Sequence, residues 1–274
     1  MRRALLATAF SLAIVVALAF LVVPVIAIFV HVAPGKLIDQ LSNPVVHDAL
    51  IVTLKTSLVA QALILLLGTP LAYFLATRRF RGRSVLVTLV ELPIVLPPAV
   101  AGIGLLVAFG KTGLVGRHFG LAEHIAFNWL AVSFAVMLVA GPFYVRSAIA
   151  AFEAVDPNLV AASRTLGAGP VRTFFRVALP LASGGLVAGE AISLARGIGE
   201  FGATIMFAGS LRGRTQTLSL AIYEEFDSNF DTALAISALL VIVSLAILLT
   251  LKLSVLWQSS RSTSPSLFGR LSSS

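Results

Sequence analysis

The sequence predicts an all-α membrane protein with about six transmembrane helices, and composition, span length and charge placement all point to this fold class. Of the 274 residues, 58% are hydrophobic and only 12% are charged, and the mean hydropathy is +1.00. A soluble domain carries about a quarter charged residues. Because a chain of this size cannot bury so much apolar surface in its own interior, lipid must be its solvent.

Six stretches of the sequence are long and apolar enough to cross a membrane as helices, which takes about 20 residues each. They are Ala4–Val30, Ala49–Thr77, Ser84–Phe109, Ile125–Val145, Val177–Phe207 and Thr232–Leu251. The first stretch follows Arg2 and Arg3 as in a signal peptide, but its apolar run exceeds the roughly 7–15 residues of a signal-peptide core. We therefore expect it to remain as the first span.

The predicted spans divide the chain into three parts. Residues 1–48 contain the first transmembrane helix and an external loop, and residues 49–257 contain the transmembrane core. The longest basic connection within that core is a cytoplasmic loop at about 146–176. Residues 258–274 are rich in serine, which predicts a disordered cytoplasmic tail.

The Lys and Arg residues lie mainly on one side of the predicted spans, and this bias marks the cytoplasm. Thirteen lie on that side: Arg2, Arg3, Arg78, Arg79, Arg81, Arg83, Arg146, Arg164, Arg172, Arg176, Lys252, Arg261 and Arg270. Five lie on the other side: Lys36, Lys111, Arg117, Arg212 and Arg214. An even number of spans places both termini in the cytoplasm. The net charge of +8 thus reflects membrane orientation, and no nucleic-acid partner is expected.

Residue types that carry catalysis or bind metals are sparse. The chain has no cysteine, and its four histidines show no ligand spacing, so no metal site is expected. No serine, histidine and carboxylate set indicates hydrolysis. We therefore expect no enzyme activity and no cofactor.

Two glycine patterns resemble nucleotide sites but lack the required context. Gly110-Lys111-Thr112 ends like a phosphate-binding loop, yet Leu105 stands where the earlier glycine is needed. The run from Gly197 to Gly202 matches G-x-G-x-x-G, but a dinucleotide site needs this pattern between a strand and a helix. Within an apolar helical run, such glycines instead favour close helix packing, as Gly185 and Gly189 do.

The loop between the fourth and fifth spans has its own helical pattern. Asp156-Pro157 is typical of a helix start, and Gly167 of a helix stop. Gly169-Pro170 then begins a second helix, and Pro180 marks the entry to the fifth span. The middle of the first helix is Ala161-Ala162-Ser163, where small side chains allow another surface to approach closely. An interfacial helix lying on lipid would instead carry bulky apolar residues along one face.

At these residues the chain resembles the permease subunits of ABC importers that work with a substrate-binding protein. Their signature is E-A-A, three residues, Gly, nine residues, then an aliphatic residue, any residue, Leu and Pro. This chain has Ala161-Ala162-Ser163, Gly167 and Val177-Ala178-Leu179-Pro180, with the same spacing from Gly167 to Pro180. It departs from the signature at Ala161, where the family has glutamate.

Three further stretches resemble the molybdate branch of these permeases, which is related to sulfate and tungstate permeases. They are Glu91-Leu92-Pro93-Ile94-Val95-Leu96-Pro97-Pro98, the run from Gly199 to Gly209, and Arg214-Thr215-Gln216-Thr217-Leu218. The resemblance extends over about residues 49–257. It implies the type I ABC importer permease fold and import of a tetrahedral oxyanion, with molybdate as the first expectation and sulfate or tungstate as alternatives.

The resemblance also implies partners and a coupling site. Two copies of the chain would form the pathway, two cytoplasmic ABC ATPases would dock on the helix from Asp156 to Leu166, and an external binding protein would deliver the anion. The residues expected to couple ATP hydrolysis to transport are Ala161, Ala162, Ser163, Arg164, Gly167, Arg172, Leu179 and Pro180. The chain itself would carry no ATPase site.

Ionisable side chains within the spans should face protein or water, since each costs about 2.5–3.5 kcal/mol at the bilayer centre. They are Glu91, Glu190, Arg196 and Glu200. Arg196 and Glu200 are four residues apart, which predicts an ion pair on one helix face. Because an acidic wall repels an anion, hydroxyls and backbone N–H groups are better candidates for the pathway. The pathway is expected at Pro97, Pro98, Gly199, Gly202 and Thr204. Pro93, Pro97 and Pro98 break the helical hydrogen-bond ladder, which fits either a cavity lining or a kinked helix that only packs against its neighbours.

Two other classes of function remain as alternatives. An ion-coupled secondary transporter would need no docking loop and would transport without an ATPase. An intramembrane enzyme would need a catalytic set facing a water-filled cavity. The predicted location, whichever transporter class holds, is the cytoplasmic (inner) membrane.

Overall fold

A computed structural model describes residues 2–31, 35, 39–40, 42–115 and 125–262, and the regular structure in these ranges is helical. The α-helices in chain order are α1 Arg2–His31, α2 Pro44–Leu63, α3 Thr69–Thr77, α4 Arg83–Val95, α5 Pro98–Phe109, α6 Trp129–Glu153, α7 Pro157–Thr165, α8 Pro170–Thr173, α9 Leu179–Ile198, α10 Gly202–Ala208, α11 Leu218–Ser228 and α12 Phe230–Ser262. Lys36, Arg117, His118, His124 and the residues beyond 262 lie outside the described ranges.

Five helical segments are long and apolar enough to cross a membrane, and a bent pair gives up to six spans. The five segments are Leu6–His31, Pro44–Thr77, Trp129–Glu153, Pro170–Ile198 and Phe230–Thr250. The bent pair is α4 and α5, whose axes differ in direction by 114°. The sequence expectation of about six spans is therefore confirmed.

The third and fifth spans are both broken. The prolines of the third span predict an interruption there, whereas the fifth span is predicted as a single helical run. The third breaks at Leu96-Pro97, where proline cannot donate to the helical hydrogen-bond ladder. The fifth breaks after Ile198, so Gly199 to Phe201 separate α9 from α10. Hydropathy alone does not reveal these breaks, because the residues on both sides are equally apolar.

Two prolines within the spans do not end their helices. Each is preceded by a short stretch of π-helix. Ile64–Gly68 precedes Pro70, and Phe174–Ala178 precedes Pro180. A proline ring collides with the carbonyl one turn earlier, and a wider turn relieves this collision. The helix that contains the fifth candidate span begins at Pro170 and continues through Pro180 to Ile198, so Pro180 lies within this helix and not at its start.

The last helix extends further than the sequence pattern predicts. A disordered tail is expected from Gln258, but α12 continues to Ser262. No glycine or proline interrupts residues 251–262, so the helical hydrogen bonds continue past the end of the apolar run.

Helix α6 is the centre of the bundle, with residues buried along most of its length. It packs against α2, α3 and α9, and Tyr144 at its middle is fully buried. The Tyr144 hydroxyl lies 2.5 Å from Oγ1 of Thr69 on α3. Helix α9 approaches α6 through Gly185 and Gly189, which confirms the predicted close helix contact.

The crossing of α6 and α9 leaves no room for a side chain at Gly185. A Cβ placed there would lie 2.5 Å from the Cβ of Ala151. We expect Gly185→Ala to destabilise the protein by roughly 1–3 kcal/mol, because overpacking forces the helices apart. The double variant with Ala151→Gly should recover most of this stability, since it removes the colliding methyl group. Gly199→Ala is the control, because a Cβ at Gly199 meets no atom within 4 Å.

These expectations can be checked by thermal unfolding of the purified variants in detergent. Equal stability of Gly185→Ala and Gly199→Ala would contradict the close helix contact.

Candidate functional site: the loop helix and the broken spans

Helix α7 starts and stops as its sequence predicts. The Asp156 carboxylate accepts a hydrogen bond from the backbone N–H of Asn158 at 2.8 Å, and Pro157 occupies the first helical position. At the other end Gly167 has a positive φ of +83°. Gly167 N–H donates to the Arg164 carbonyl, and Ala168 N–H donates to the Ser163 carbonyl, both at 3.0 Å. These two bonds form a Schellman motif, which ends the helix and favours glycine at its left-handed residue.

The exposed side of α7 is small and basic. Ala161, Ala162, Arg164 and Gly167 are exposed, and a Cβ at Gly167 would meet no atom within 4 Å. Arg172 on α8 is also exposed. Among the described residues, neither Arg164 nor Arg172 forms an ion pair. This part of the loop offers backbone and positive charge to another surface.

Ser163 is held inward and joins the two short helices of the loop. Its hydroxyl donates to the Val160 carbonyl at 2.9 Å and lies 3.1 Å from Oγ1 of Thr173 on α8. Thr173 is fully buried. The sequence analysis did not identify Thr173 as a partner of Ser163. The two residues are ten positions apart on different helices, and no sequence pattern links them.

The structure separates Leu179 and Pro180 from the rest of the predicted coupling residues. Both lie in the first turn of α9, within the fifth span. Leu179 packs against the core that contains Tyr144, and Pro180 is exposed. The positions from Ala161 to Gly167 belong to α7 and its end. Arg172 lies near the start of the helical segment Pro170–Ile198, and Leu179 and Pro180 lie further along the same segment.

The breaks in the third and fifth spans lie against each other. A Cβ at Gly202, the first residue of α10, would lie 2.7 Å from the Cβ of Pro98, the first residue of α5. Further along, a Cβ at Gly102 would lie 2.6 Å from the Ala203 carbonyl oxygen. Two of the predicted pathway positions, Pro98 and Gly202, are therefore neighbours because glycine allows the two backbones to meet.

The other predicted pathway residues differ in their exposure. Pro97 and Gly199 are exposed, whereas Thr204 is fully buried in α10. The Thr204 hydroxyl has no hydrogen-bond partner among the described residues. Its contact with a substrate stays a prediction, and it requires the surrounding helices to move.

Arg196 and Glu200 form the predicted ion pair, but not on one helix face. Arg196 Nη1 lies 2.8 Å from Glu200 Oε2, and the Glu200 side chain is 1% exposed. Glu200 lies beyond the end of α9, and its Oε1 accepts the Ala203 N–H at 2.8 Å. One carboxylate therefore connects the last turn of α9 to the first turn of α10.

Glu91 on α4 forms an ion pair with α6. Its carboxylate lies 3.6 Å from Nε of Arg146 on α6. Nearby, Arg83 pairs with Glu153 and donates from Nε to the Leu75 carbonyl at 2.7 Å. The Arg83 contacts connect the start of α4 to α3 and to the end of α6, and the Glu91 pair connects the second half of α4 to α6.

A buried polar contact between α2, α6 and α9 was missed by the sequence analysis. The Ser193 hydroxyl on α9 lies 3.0 Å from the Ala140 carbonyl and 3.2 Å from Oε1 of Gln61 on α2. Gln61 Nε2 and Glu190 Oε2 are buried and have no hydrogen-bond partner among the described residues. Gln61 could have been identified from the sequence, because it is a polar residue within an apolar run and buried polar groups in membrane helices form hydrogen bonds to neighbouring helices.

Comparison with known families and proteins gives a consistent result. The profile of the family described as binding-protein-dependent transport system inner membrane component matches residues 68–261. The molybdenum transport system permease protein ModB of Mycobacterium tuberculosis is 41% identical over 233 residues, which cover 84% of this chain and 88% of the relative. ModB of Escherichia coli is 39% identical over 180 residues, which cover 64% of this chain and 78% of the relative. The sulfate transport system permease protein CysT of Salmonella typhimurium is 36% identical and covers 78% of each chain.

Solved structures show the same fold. The bacterial alginate ABC transporter, in complex with an alginate-bound periplasmic protein, contains a chain that matches 91% of this chain with a TM-score of 0.72 and 20% identity. A chain of the MetNI methionine ABC transporter matches 77% of this chain with a TM-score of 0.60 and 22% identity. The fold is therefore that of an ABC importer permease.

Proposed function

This chain belongs to the family of binding-protein-dependent transport system inner membrane components, and we propose that it is the permease subunit of an ABC importer for molybdate. It is a multi-pass protein of the inner membrane. The observation that carries the proposal is its similarity to molybdenum permeases along most of its length. Under this proposal the chain has no ATPase site of its own and works with a separate ATP-hydrolysing subunit.

The exposed loop helix α7 supports docking of a cytoplasmic ATPase. Its small residues Ala161 and Ala162 allow close approach, and Arg164 and Arg172 offer charge to acidic groups. The bias of Lys and Arg supports a cytoplasmic location for this loop and for both termini. An external binding protein would deliver the anion to the opposite side.

A second copy of the chain would complete the pathway. The chain carries one docking loop, and two-fold pairing is the commonest closed symmetry of assemblies. The mass of the purified transporter with its ATPase tests this proposal. A functional assembly with a single permease chain would refute it.

The contact between the two broken spans is the best-supported place for the pathway. Helices α5 and α10 begin at Pro98 and Gly202, and backbone N–H groups in a first helical turn have no helical acceptor, so those not already bonded can donate to an anion. Such breaks are tolerated where they line a cavity. The carboxylates of Glu190 and Glu200 would repel a dianion, so we do not place them in contact with the substrate. Glu200 instead pairs with Arg196. Closure of the ATPases would move α7 and rock the spans outward, and ATP hydrolysis would return them.

The experiment that tests the substrate is uptake of radiolabelled molybdate by proteoliposomes that contain the permease, its ATPase and its binding protein. We expect excess unlabelled molybdate and tungstate to compete more strongly than sulfate. Sulfate is the second candidate, because the sulfate permease of Salmonella typhimurium matches most of the chain. Stronger competition by sulfate than by molybdate would refute the molybdate proposal and indicate a sulfate importer.

A further inference from the structure

A cavity of about 760 Å³ lies beneath the loop helix, between α7 and the adjacent ends of α3 and α6. Pro157, Val160, Ala161 and Arg164 contribute one side of it, and their spacing is that of a single helix face. The cavity is thus separate from the contact between the two broken spans. The proposed ATPase docking uses Ala161 and Arg164 of this helix, but it assigns no ligand to the cavity itself.

The charge of this cavity is unbalanced. Three arginines line it, Arg79, Arg83 and Arg164, and Glu153 is its acidic residue. Arg83 is already satisfied, because it pairs with Glu153 and donates to the Leu75 carbonyl. Arg79 and Arg164 form no ion pair within the described ranges. Two positive charges therefore remain for a ligand.

We propose that this cavity binds a tetrahedral oxyanion of the phosphate class. Guanidinium forks match the paired oxygens of such anions and form strong charge-assisted hydrogen bonds. Arg164 belongs to α7, whereas Arg79 belongs to the connection between α3 and α4. An anion held by both would join the loop helix to the end of the bundle and restrain its movement.

Ala161 makes this site possible in this chain. Its side chain lines the cavity three residues before Arg164, at the position where the signature of the resembling permeases has glutamate. A carboxylate there would neutralise one of the free arginines and occupy part of the space. The same position gives a sharp test, because a glutamate should fit the local fold and still exclude an anion.

The ligand has two possible sources with the same chemistry, a free anion in the cytoplasm or the phosphate of an inner-leaflet lipid. The probe for the first is inorganic phosphate, titrated by calorimetry into the full-length chain in phosphatidylcholine nanodiscs. The probe for the second is phosphatidic acid, exchanged into the same nanodiscs. Neither probe depends on molybdate transport, so failure here leaves the proposed function untouched.

The expected result is saturable binding of one of the probes. Arg79→Gln, Arg164→Gln and Ala161→Glu should each weaken it by about tenfold or more, because each removes a charge-assisted contact or neutralises it. Arg81→Gln is the matched control. It removes the same charge from the same connection but does not line the cavity, so it should change the affinity by less than about twofold.

Phosphate binding supports a site for free anions, and binding of phosphatidic acid alone supports the same site with a lipid as its source. The absence of saturable binding of both probes would overturn the proposal. An equal loss for Arg81→Gln and Arg79→Gln would also overturn it, since the attraction would then come from general charge. Unfolding temperatures of the four variants, equal to that of the parent chain, show that the effects are local.

Discussion

Replacing Gly167 with aspartate is expected to leave the spans inserted and to uncouple ATP hydrolysis from transport. Gly167 is the left-handed residue of the Schellman motif that ends α7, with φ of +83°. Any side chain there costs roughly 1 kcal/mol in backbone strain. The position is also exposed, so a carboxylate would replace bare backbone at the surface proposed to meet the ATPase. Where acidic groups of the ATPase meet Arg164 and Arg172, their repulsion of the introduced carboxylate adds several kcal/mol to the free energy of docking. Uptake should then fall by at least about tenfold.

Gly167→Asn separates the two contributions. Asparagine adopts the left-handed conformation more readily than other residues and has the shape of aspartate without its charge. We expect it to retain most of the coupling. The measurement is reconstituted uptake together with stimulation of ATP hydrolysis by the loaded binding protein. Normal values of both quantities for Gly167→Asp would remove this loop from the proposed mechanism.

Removing Arg196 is expected to destabilise the protein more than removing both members of its ion pair. Glu200 is 1% exposed, and Arg196 is its only cationic partner among the described residues. Arg196→Ala therefore leaves a buried carboxylate without a counter-charge, at a cost on the order of 3 kcal/mol. In the double variant with Glu200→Gln, a neutral amide oxygen can still accept the Ala203 N–H, so part of this loss should be recovered.

The ion pair is tested by thermal unfolding in detergent of the two single variants and the double variant. The interaction predicts a coupling energy between the two changes, which double-mutant analysis isolates. Arg212→Ala is a suitable comparison, because Arg212 pairs with Asp48 at 3.1 Å but both side chains are much more exposed. It should cost no more than about 1 kcal/mol. Additive losses for Arg196 and Glu200 would show that their charges act independently.

Much of the fold follows from local sequence chemistry. Apolar runs of sufficient length give the spans, and Asp156-Pro157 and Gly167 give the ends of α7 because capping depends on adjacent residues. The close contact at Gly185 and Gly189 follows from the spacing of small residues. These features were predicted because each depends on residues that are close together in the sequence.

The features that the sequence did not reveal depend on distant residues. Pro98 meets Gly202 only because the two broken spans pack together, and Ser193 meets Gln61 only because α2 and α9 flank α6. The break after Ile198 was missed because Arg196 and Glu200 have helical spacing, although glycines surround Glu200. The charge of the cavity beneath α7 likewise arises from the connection after α3 and from α7, which are far apart in the sequence.

The most direct test of the account is the energy source of molybdate uptake in proteoliposomes that contain this chain. We predict uptake only when the ATPase, internal ATP and the loaded binding protein are all present, with no uptake when the ATPase carries an inactivating substitution. Imposed proton or sodium gradients should not replace ATP. Molybdate uptake by the chain alone, driven by such a gradient, would contradict the account and identify a secondary transporter.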